Sequence, residues 1–477
     1  MTVMTATDLT ADGEAVRKAG RTPGWAALLA ASIGQFLVVL DISVVNVALP
    51  HMREGLGLGS TGLQWVVNAY SLTFAGFLLL GGRAADLYGR KRVFLAGLGV
   101  VVASSLVGGF AQDGAMLIGA RAAQGLGAAT LAPVTLSLIT ATFPAGPART
   151  RAIAMWTAVG TAGGATGGLV GGLLTDYLSW RWVLLINVPV GVAVAVVAAR
   201  WLRDDRPAAG RSRLDLPGAV LVTAGVGLLA FGIGQTEDHG WTSLIPLTAG
   251  LGLLGLFVAV EARAPQPLVR LGMFRRRSVA VGNLATLVMT MAGFALWYFL
   301  SLYMQNVLHY SAVKTGLSFL PHTAGIILGS RFAPALMARI GARLLAGIGG
   351  LAAAAGFAWQ AAVLDADGTF LGAILGPGAL MALGFGLLMT PLVEVATSGV
   401  DESEAGTVAG VVNTSRTIGG AIGLTVLSTA AAKAGPDLVD GYSAAFLVAA
   451  LVTIAGTAIV PFLPRPRRAL KEEPAVP

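Results

Sequence analysis

Residues 25–49 read WAALLAASIGQFLVVLDISVVNVAL, a run in which one carboxylate, Asp41, interrupts an otherwise uncharged and mostly apolar stretch. About 20 such residues, coiled as a helix, cross the hydrocarbon core of a bilayer. A helix also satisfies its backbone polar groups internally, which lipid cannot do for it. The stretch is therefore a membrane helix, and an acid near its middle is costly enough to need a purpose.

The rest of the chain repeats the pattern. Of 477 residues, 55% are hydrophobic and 12% charged, with 65 glycines and no cysteine. Soluble chains carry about 25% charged residues. Apolar runs fall near 25–49, 63–82, 93–111, 115–140, 152–174, 182–200, 214–235, 244–262, 279–307, 313–338, 342–363, 370–393, 406–430 and 442–463, fourteen in all. The connections are too short for a soluble domain. The fold class is an all-α polytopic membrane protein.

Several chemistries are excluded. A phosphate-cradling loop ends in Gly-Lys-Ser/Thr, and Lys18, Lys91, Lys314, Lys433 and Lys471 each follow a residue other than glycine. Without cysteine there are no disulfides, Cys-based metal sites or thiol nucleophiles. No metal cluster or nucleophile–base set is visible, so no enzyme, metal or cofactor is expected. Residues 1–24 are polar, with Asp8, Asp12 and Glu14, and lack a short apolar core with a small-residue cleavage site. The first apolar run is expected to stay in the mature protein.

The basic residues orient the spans. With a cytoplasmic N-terminus, 25 of the 32 fall in inward segments, and only Arg53, Arg181, Lys314 and Lys433 fall in outward ones. Arg121, Arg331 and Arg416 lie within spans. This is the positive-inside asymmetry, and it predicts a multi-pass cell-membrane protein with both termini cytoplasmic. The net charge of +8 then serves orientation and anionic lipid, and no basic domain exists for nucleic acid.

An internal repeat is also legible. GGLVG at 167–171 recurs as GGAIG at 419–423, and YGRKRV, with Gly89 and Lys91, recurs weakly as IGARLL, with Gly341 and Arg343; both offsets are 252. Spans 1–6 then match spans 9–14. The expected organisation is a tail over 1–24, a six-helix half over 25–200, two inserted helices over 201–278, a second six-helix half over 279–463 and a tail over 464–477. A substrate site is expected between the halves, as in transporters built from repeats.

Asp41 and Arg121 sit at compatible depths, roughly 12 and 9 Å from the outer ends of their spans at 1.5 Å per residue. A buried carboxylate beside a cation is a group whose protonation responds to substrate arrival or reorientation, so the pair is the candidate for proton coupling. The loop after span 2 carries Gly82, Asp86, Gly89 and Arg90, with glycine for a tight turn and charges that pin it to one face. Span 5 carries Gly163, Gly167, Gly168, Gly171 and Gly172, a smooth face for close helix approach. Asn46, Trp297, Tyr298, Asn413 and Arg416 are candidates to line a substrate cavity. Arg331 is close enough to a span end to snorkel, and His322 reads as a satisfied helix histidine.

LDISVVNVALP (40–50), GRAADLYGRK (82–91), ARAAQGLGAA (120–129), SWRWVLLINVPVG (179–191) and AGTVAGVVNTSRTIGGAIG (405–423) together resemble the major facilitator superfamily, and within it the fourteen-helix drug:H+ antiporters. The resemblance covers about residues 25–463. It implies a monomeric, proton-driven exporter of a hydrophobic or cationic drug, working by alternating access without a cofactor. It assigns proton coupling to Asp41 and Arg121, and control of interconversion to the loop with Asp86 and Arg90. The family pattern has Gly-Pro where this chain has Gly167-Gly168, and an earlier glycine where it has Ala154. That proline bends the helix and is associated with antiport. A transporter of a small metabolite such as an amino acid, sugar or siderophore would use the same scaffold.

Overall fold

The computed structural model describes residues 22–144, 146–204, 214–235, 240–265, 267–398 and 402–464. Both expected tails lie almost wholly outside the described residues, as do Arg206, Arg211 and Arg213. Among the described residues there is no β-strand. The α-helical segments are α1 (Gly24–Leu56), α2 (Ser60–Tyr88), α3 (Arg90–Gly109), α4 (Gly114–Thr142), α5 (Pro147–Tyr177), α6 (Trp182–Leu185), α7 (Asn187–Trp201), α8 (Leu216–Gly234), α9 (Leu244–Glu261), α10 (Arg277–Asn306), α11 (Ala312–Ser318), α12 (Leu320–Ile340), α13 (Ala342–Val363), α14 (Gly376–Thr397), α15 (Glu402–Lys433) and α16 (Leu438–Ile459). Only Ile186 separates α6 from α7 and only Phe319 separates α11 from α12, so they form fourteen rods.

Both breaks correct the expectation of unbroken spans, and both have a chemical cause. Pro189 and Pro321 lie in the first turns of α7 and α12. Proline carries no N–H and clashes with the preceding turn, so a helix restarts more easily than it continues there.

Among the described residues, eleven helices are long and apolar enough to cross a membrane on length and composition alone. The rods missing from that set are α5, α11–α12 and α15. Their sequences are rich in glycine, threonine and serine, which lowers hydropathy where helices pack against one another.

Turns follow from local chemistry. Gly89 joins α2 to α3 with φ 90° and ψ 139°, and Gly341 joins α12 to α13 with φ 85° and ψ 155°. An L side chain rarely adopts that backbone. The two glycines are 252 residues apart, the repeat offset read from the sequence. Asp113, Ser311 and Asp437 cap α4, α11 and α16 by accepting from backbone N–H groups.

The α8–α9 hairpin is keyed onto its neighbours by two buried acids. Asp215 accepts from the Gly218 N–H at 3.0 Å and the Leu268 N–H at 3.4 Å, and Glu261 accepts from the Val269 N–H at 3.1 Å. Leu268 and Val269 then pack with Leu80 of α2 and with Val408 and Val411 of α15. The end of the molecule holding this strap and the Gly89 turn is called the basic end below.

Three helix pairs close the opposite, far end. Ser301 and Gln305 of α10 donate to the Asn46 and Val47 carbonyls of α1, each at 3.0 Å. Asn68 of α2 donates to Thr425 of α15 at 3.0 Å. At the end of α5, Asp176 accepts from the Ala312 N–H at 3.1 Å and the Val313 N–H at 2.8 Å, capping α11 from another helix. Removing an N-cap acceptor costs about 1 kcal/mol, so Asp176→Ala is expected to shift the balance roughly fivefold toward a far-end-open form. Maleimide labelling of Ala165→Cys in this cysteine-free chain, with and without the substitution, measures that shift.

Candidate functional site

Asp41 and Arg121 meet, as the sequence suggested. Both are buried, with 3% and 2% of their surfaces exposed. Arg121 of α4 donates from Nη1 to Asp41 Oδ2. A charge pair out of water is stable only if its remaining donors and acceptors are also met, and here Asp41 Oδ1 and Arg121 Nε are. Asp41 Oδ1 accepts from Asn187 Nδ2 of α7 at 2.9 Å and from Gln124 Nε2 of α4 at 3.2 Å. Arg121 Nε donates to the Val66 carbonyl at 3.1 Å, Nη1 also donates to Gln124 Oε1 at 2.9 Å, and the guanidinium lies 4.5 Å from the Tyr70 ring centre. Ser105 of α3 accepts from Gln124 Nε2 at 2.7 Å and from Asn187 Nδ2 at 3.4 Å.

Five helices, α1, α2, α3, α4 and α7, thus converge on one carboxylate. Gln124, Asn187, Ser105 and Tyr70 were not singled out from the sequence. Gln124 had a signal, since it lies three residues after Arg121 and shares its helix face. Asn187 is a lone amide in the apolar run 182–200, placed by the break that Pro189 forces.

The opposite face of α1 borders a different space. Ser43, Asn46 and Val47 line a cavity of about 10 Å³ with Gly164, Gly168 and Trp297. The Trp297 ring lies 4.9 Å from that of Phe319, tilted by 47°. Asn46 and Trp297 are therefore brought together. Tyr298 is not: it is buried against Phe299, with ring centres 5.0 Å apart, so its placement in the cavity is corrected. It turns away because it lies about 100° round the helix from Trp297. Asn413 is half-buried and Arg416 exposed, one turn apart on α15.

The glycines of α5 form two smooth faces rather than one. Cβ atoms on Gly163, Gly167 and Gly171 would lie 3.0, 2.5 and 2.6 Å from atoms of α1. A Cβ on Gly172 would lie 2.4 Å from the Ala312 carbonyl oxygen, and Gly168 faces Gly316 of α11. On α15, Gly419 and Gly423 meet the α10 backbone as Gly167 and Gly171 meet α1.

The loop expected after span 2 is corrected to a single-residue turn, because only Gly89 stands between α2 and α3: Gly82, near Pro133, and the exposed Asp86 lie in the last turns of α2, and the half-buried Arg90 opens α3. Arg331 is exposed on α12. His322 is wholly buried, with Nδ1 3.1 Å from the Ser318 carbonyl.

Comparison with known proteins places this architecture. The model of the Major Facilitator Superfamily matches residues 31–424. The chain belongs to the Major Facilitator Superfamily. Among curated members it is 47% identical over 461 residues to the cephamycin export protein CmcT of Amycolatopsis lactamdurans, covering 94% of this chain and 95% of that one. It is 40% identical to the puromycin resistance protein pur8 of Streptomyces alboniger, covering 85% and 81%. With the lincomycin resistance protein of Streptomyces lincolnensis it shares 34% identity, covering 87% and 85%. A solved bacterial homologue of the human lysosomal transporter Spinster, in an inward-facing unoccupied conformation, superposes with a TM-score of 0.66 at 17% identity, covering 91% and 95%. That likeness concerns the fold. As a Major Facilitator Superfamily protein the chain is a small-molecule membrane transporter and not an enzyme.

Proposed function

We propose that this chain is a proton-driven exporter that carries a hydrophobic, antibiotic-like compound out of the cell by alternating access. The observation that carries the reading is the Asp41–Arg121 pair, buried where five helices meet, in a chain whose relatives are named for antibiotic export and resistance. In this reading the fourteen rods are fourteen spans. Residues 25–200 and 279–463 are six-helix halves, residues 201–278 hold two inserted helices, and both termini are cytoplasmic in the cell membrane of a monomer. The matched turns at Gly89 and Gly341 and the matched glycine contacts of α5 and α15 support the repeat.

With the basic end cytoplasmic, the closed far end makes this the inward-facing form. The proton enters from outside once that end opens, neutralises Asp41 and loosens its hold on Arg121. The switch loop with Asp86 and Arg90 then steadies the outward-facing form. A proton crossing 100 mV supplies about 2.3 kcal/mol, and one pH unit adds about 1.4. Together these sustain a gradient of a few hundredfold for a neutral substrate.

The test uses inverted membrane vesicles with an imposed pH gradient and a panel of a cephamycin, puromycin and lincomycin. At least one compound is expected to dissipate the gradient with wild type and none with Asp41→Asn. Normal proton-coupled transport by Asp41→Asn, or no response to any compound in wild type, refutes the reading.

A further inference from the structure

Among the described residues, Arg416 is a charge near the middle of a helix that no hydrogen bond or ion pair engages, a property it shares with Arg331. It lies about 20 Å along α15 from the helix start at 1.5 Å per residue, on a stripe spaced by three or four residues that includes Asn413, Gly420, Leu424 and Leu427. Leu424 and Leu427 are fully buried in the core cluster that also holds Leu49 of α1 and Phe299 of α10. A Cβ on Gly420 would lie 2.1 Å from the Phe294 ring, and Phe294 shares its α10 face with Ser301 and Gln305, which donate to α1.

Another face of α15 is occupied by α2 and α8. Thr414 donates to the Ala75 carbonyl of α2, and Thr429 donates to the Ile233 carbonyl of α8. Arg416, one turn from Gly420 toward the basic end, therefore looks into the space between α1, α10 and α15 and not into lipid.

Arg416 keeps accessible surface, and among the described residues no hydrogen bond or ion pair engages it. Among the described residues the buried acids are committed elsewhere. Asp41 is held by Arg121 on the opposite side of α1, and Asp215 and Glu261 hold backbone N–H groups beside the α8–α9 hairpin. Glu394 lies near the basic end of α14, three residues from its last residue. Arg331, also exposed, adds a second positive charge. An unanswered guanidinium repels cations and offers a planar pair of donors that matches a carboxylate.

Resting on the export reading above, we propose that Arg416 selects the substrate, pairing with a carboxylate on an otherwise apolar, drug-sized molecule. The exported compound is then an organic anion, the reverse of the cationic class that the family resemblance suggests.

The test uses the purified full chain in lipid nanodiscs with two fluorescent probes that differ only in charge, dansyl-phenylalanine and its methyl ester. A charge-assisted pair is worth about ten- to a hundredfold in affinity, so wild type is expected to prefer the acid by that factor. Arg416→Gln is expected to bring the two affinities within about threefold by weakening the acid alone, and Arg416→Lys to keep part of the preference. A thermal unfolding midpoint for Arg416→Gln close to that of wild type shows that the variant is folded. Equal or tighter binding of the ester by wild type, tighter binding of ethidium than of the acid, or an undiminished preference in Arg416→Gln overturns the proposal. The vesicle experiment is judged separately: an anion preference without gradient-driven flux sinks the export reading alone, and flux without an anion preference sinks this proposal alone.

Discussion

Arg121→Gln is expected to destabilise the protein by about 3–5 kcal/mol, because it leaves the Asp41 carboxylate buried without its cation. Asn187 and Gln124 still donate to Asp41 Oδ1, but neutral amides do not replace a full charge. Asp41→Asn is expected to cost less, since Arg121 keeps the Val66 carbonyl, Gln124 and the Tyr70 ring. The double variant Asp41→Asn, Arg121→Gln removes both charges and is expected to recover most of the stability, since replacing both partners of a buried pair is often nearly neutral. It is not expected to recover proton-coupled transport. Thermal unfolding of the three purified variants, alongside vesicle transport, separates the two roles. Transport restored together with stability would mean that the pair is structural and that the proton travels elsewhere.

The second large effect is expected at the α5–α11 crossing. Even an alanine at Gly172 would place its Cβ 2.4 Å from the Ala312 carbonyl oxygen and 2.8 Å from the Val313 Cα. These are backbone atoms, which cannot rotate aside. Gly172→Val is therefore expected to hold α11 off α5, to strip Asp176 from the Ala312 and Val313 N–H groups, and to leave the far end open. Transport is expected to fall more than tenfold at normal expression, and maleimide labelling of Ser43→Cys to rise. Because the chain contains no cysteine, that single thiol reports without background. Normal transport with unchanged labelling would show that the crossing is not a gate.

What could be read from the sequence follows the cost of each residue in lipid. Asp41 and Arg121 were legible because a charge inside an apolar run has few neutral explanations. Their supporting amides and hydroxyl were not, since an Asn, Gln or Ser in a helix is cheap enough to occur without a partner. The glycines of α5 were visible as small residues. Their division into one face toward α1 and another toward α11 was not, because it depends on which helices arrive there. Trp297 and Tyr298 differ by one position and hence by about 100° around the helix. Composition sees two aromatics, while packing puts one at the cavity and the other in the core.

The separation of the two faces of α1 also limits how protons and substrate can influence each other. Asp41 points into one helix cluster and Ser43 and Asn46 point into the space on the other side, so in the proposed reading, with the proton on Asp41 and the substrate beside Asn46, the two ligands do not contend for one seat. Each is felt by the other only through the motion of α1 as a rigid beam. External acidity should then alter the maximal velocity of export while leaving the half-saturating substrate concentration nearly constant, the kinetic pattern of a lever rather than of rivals.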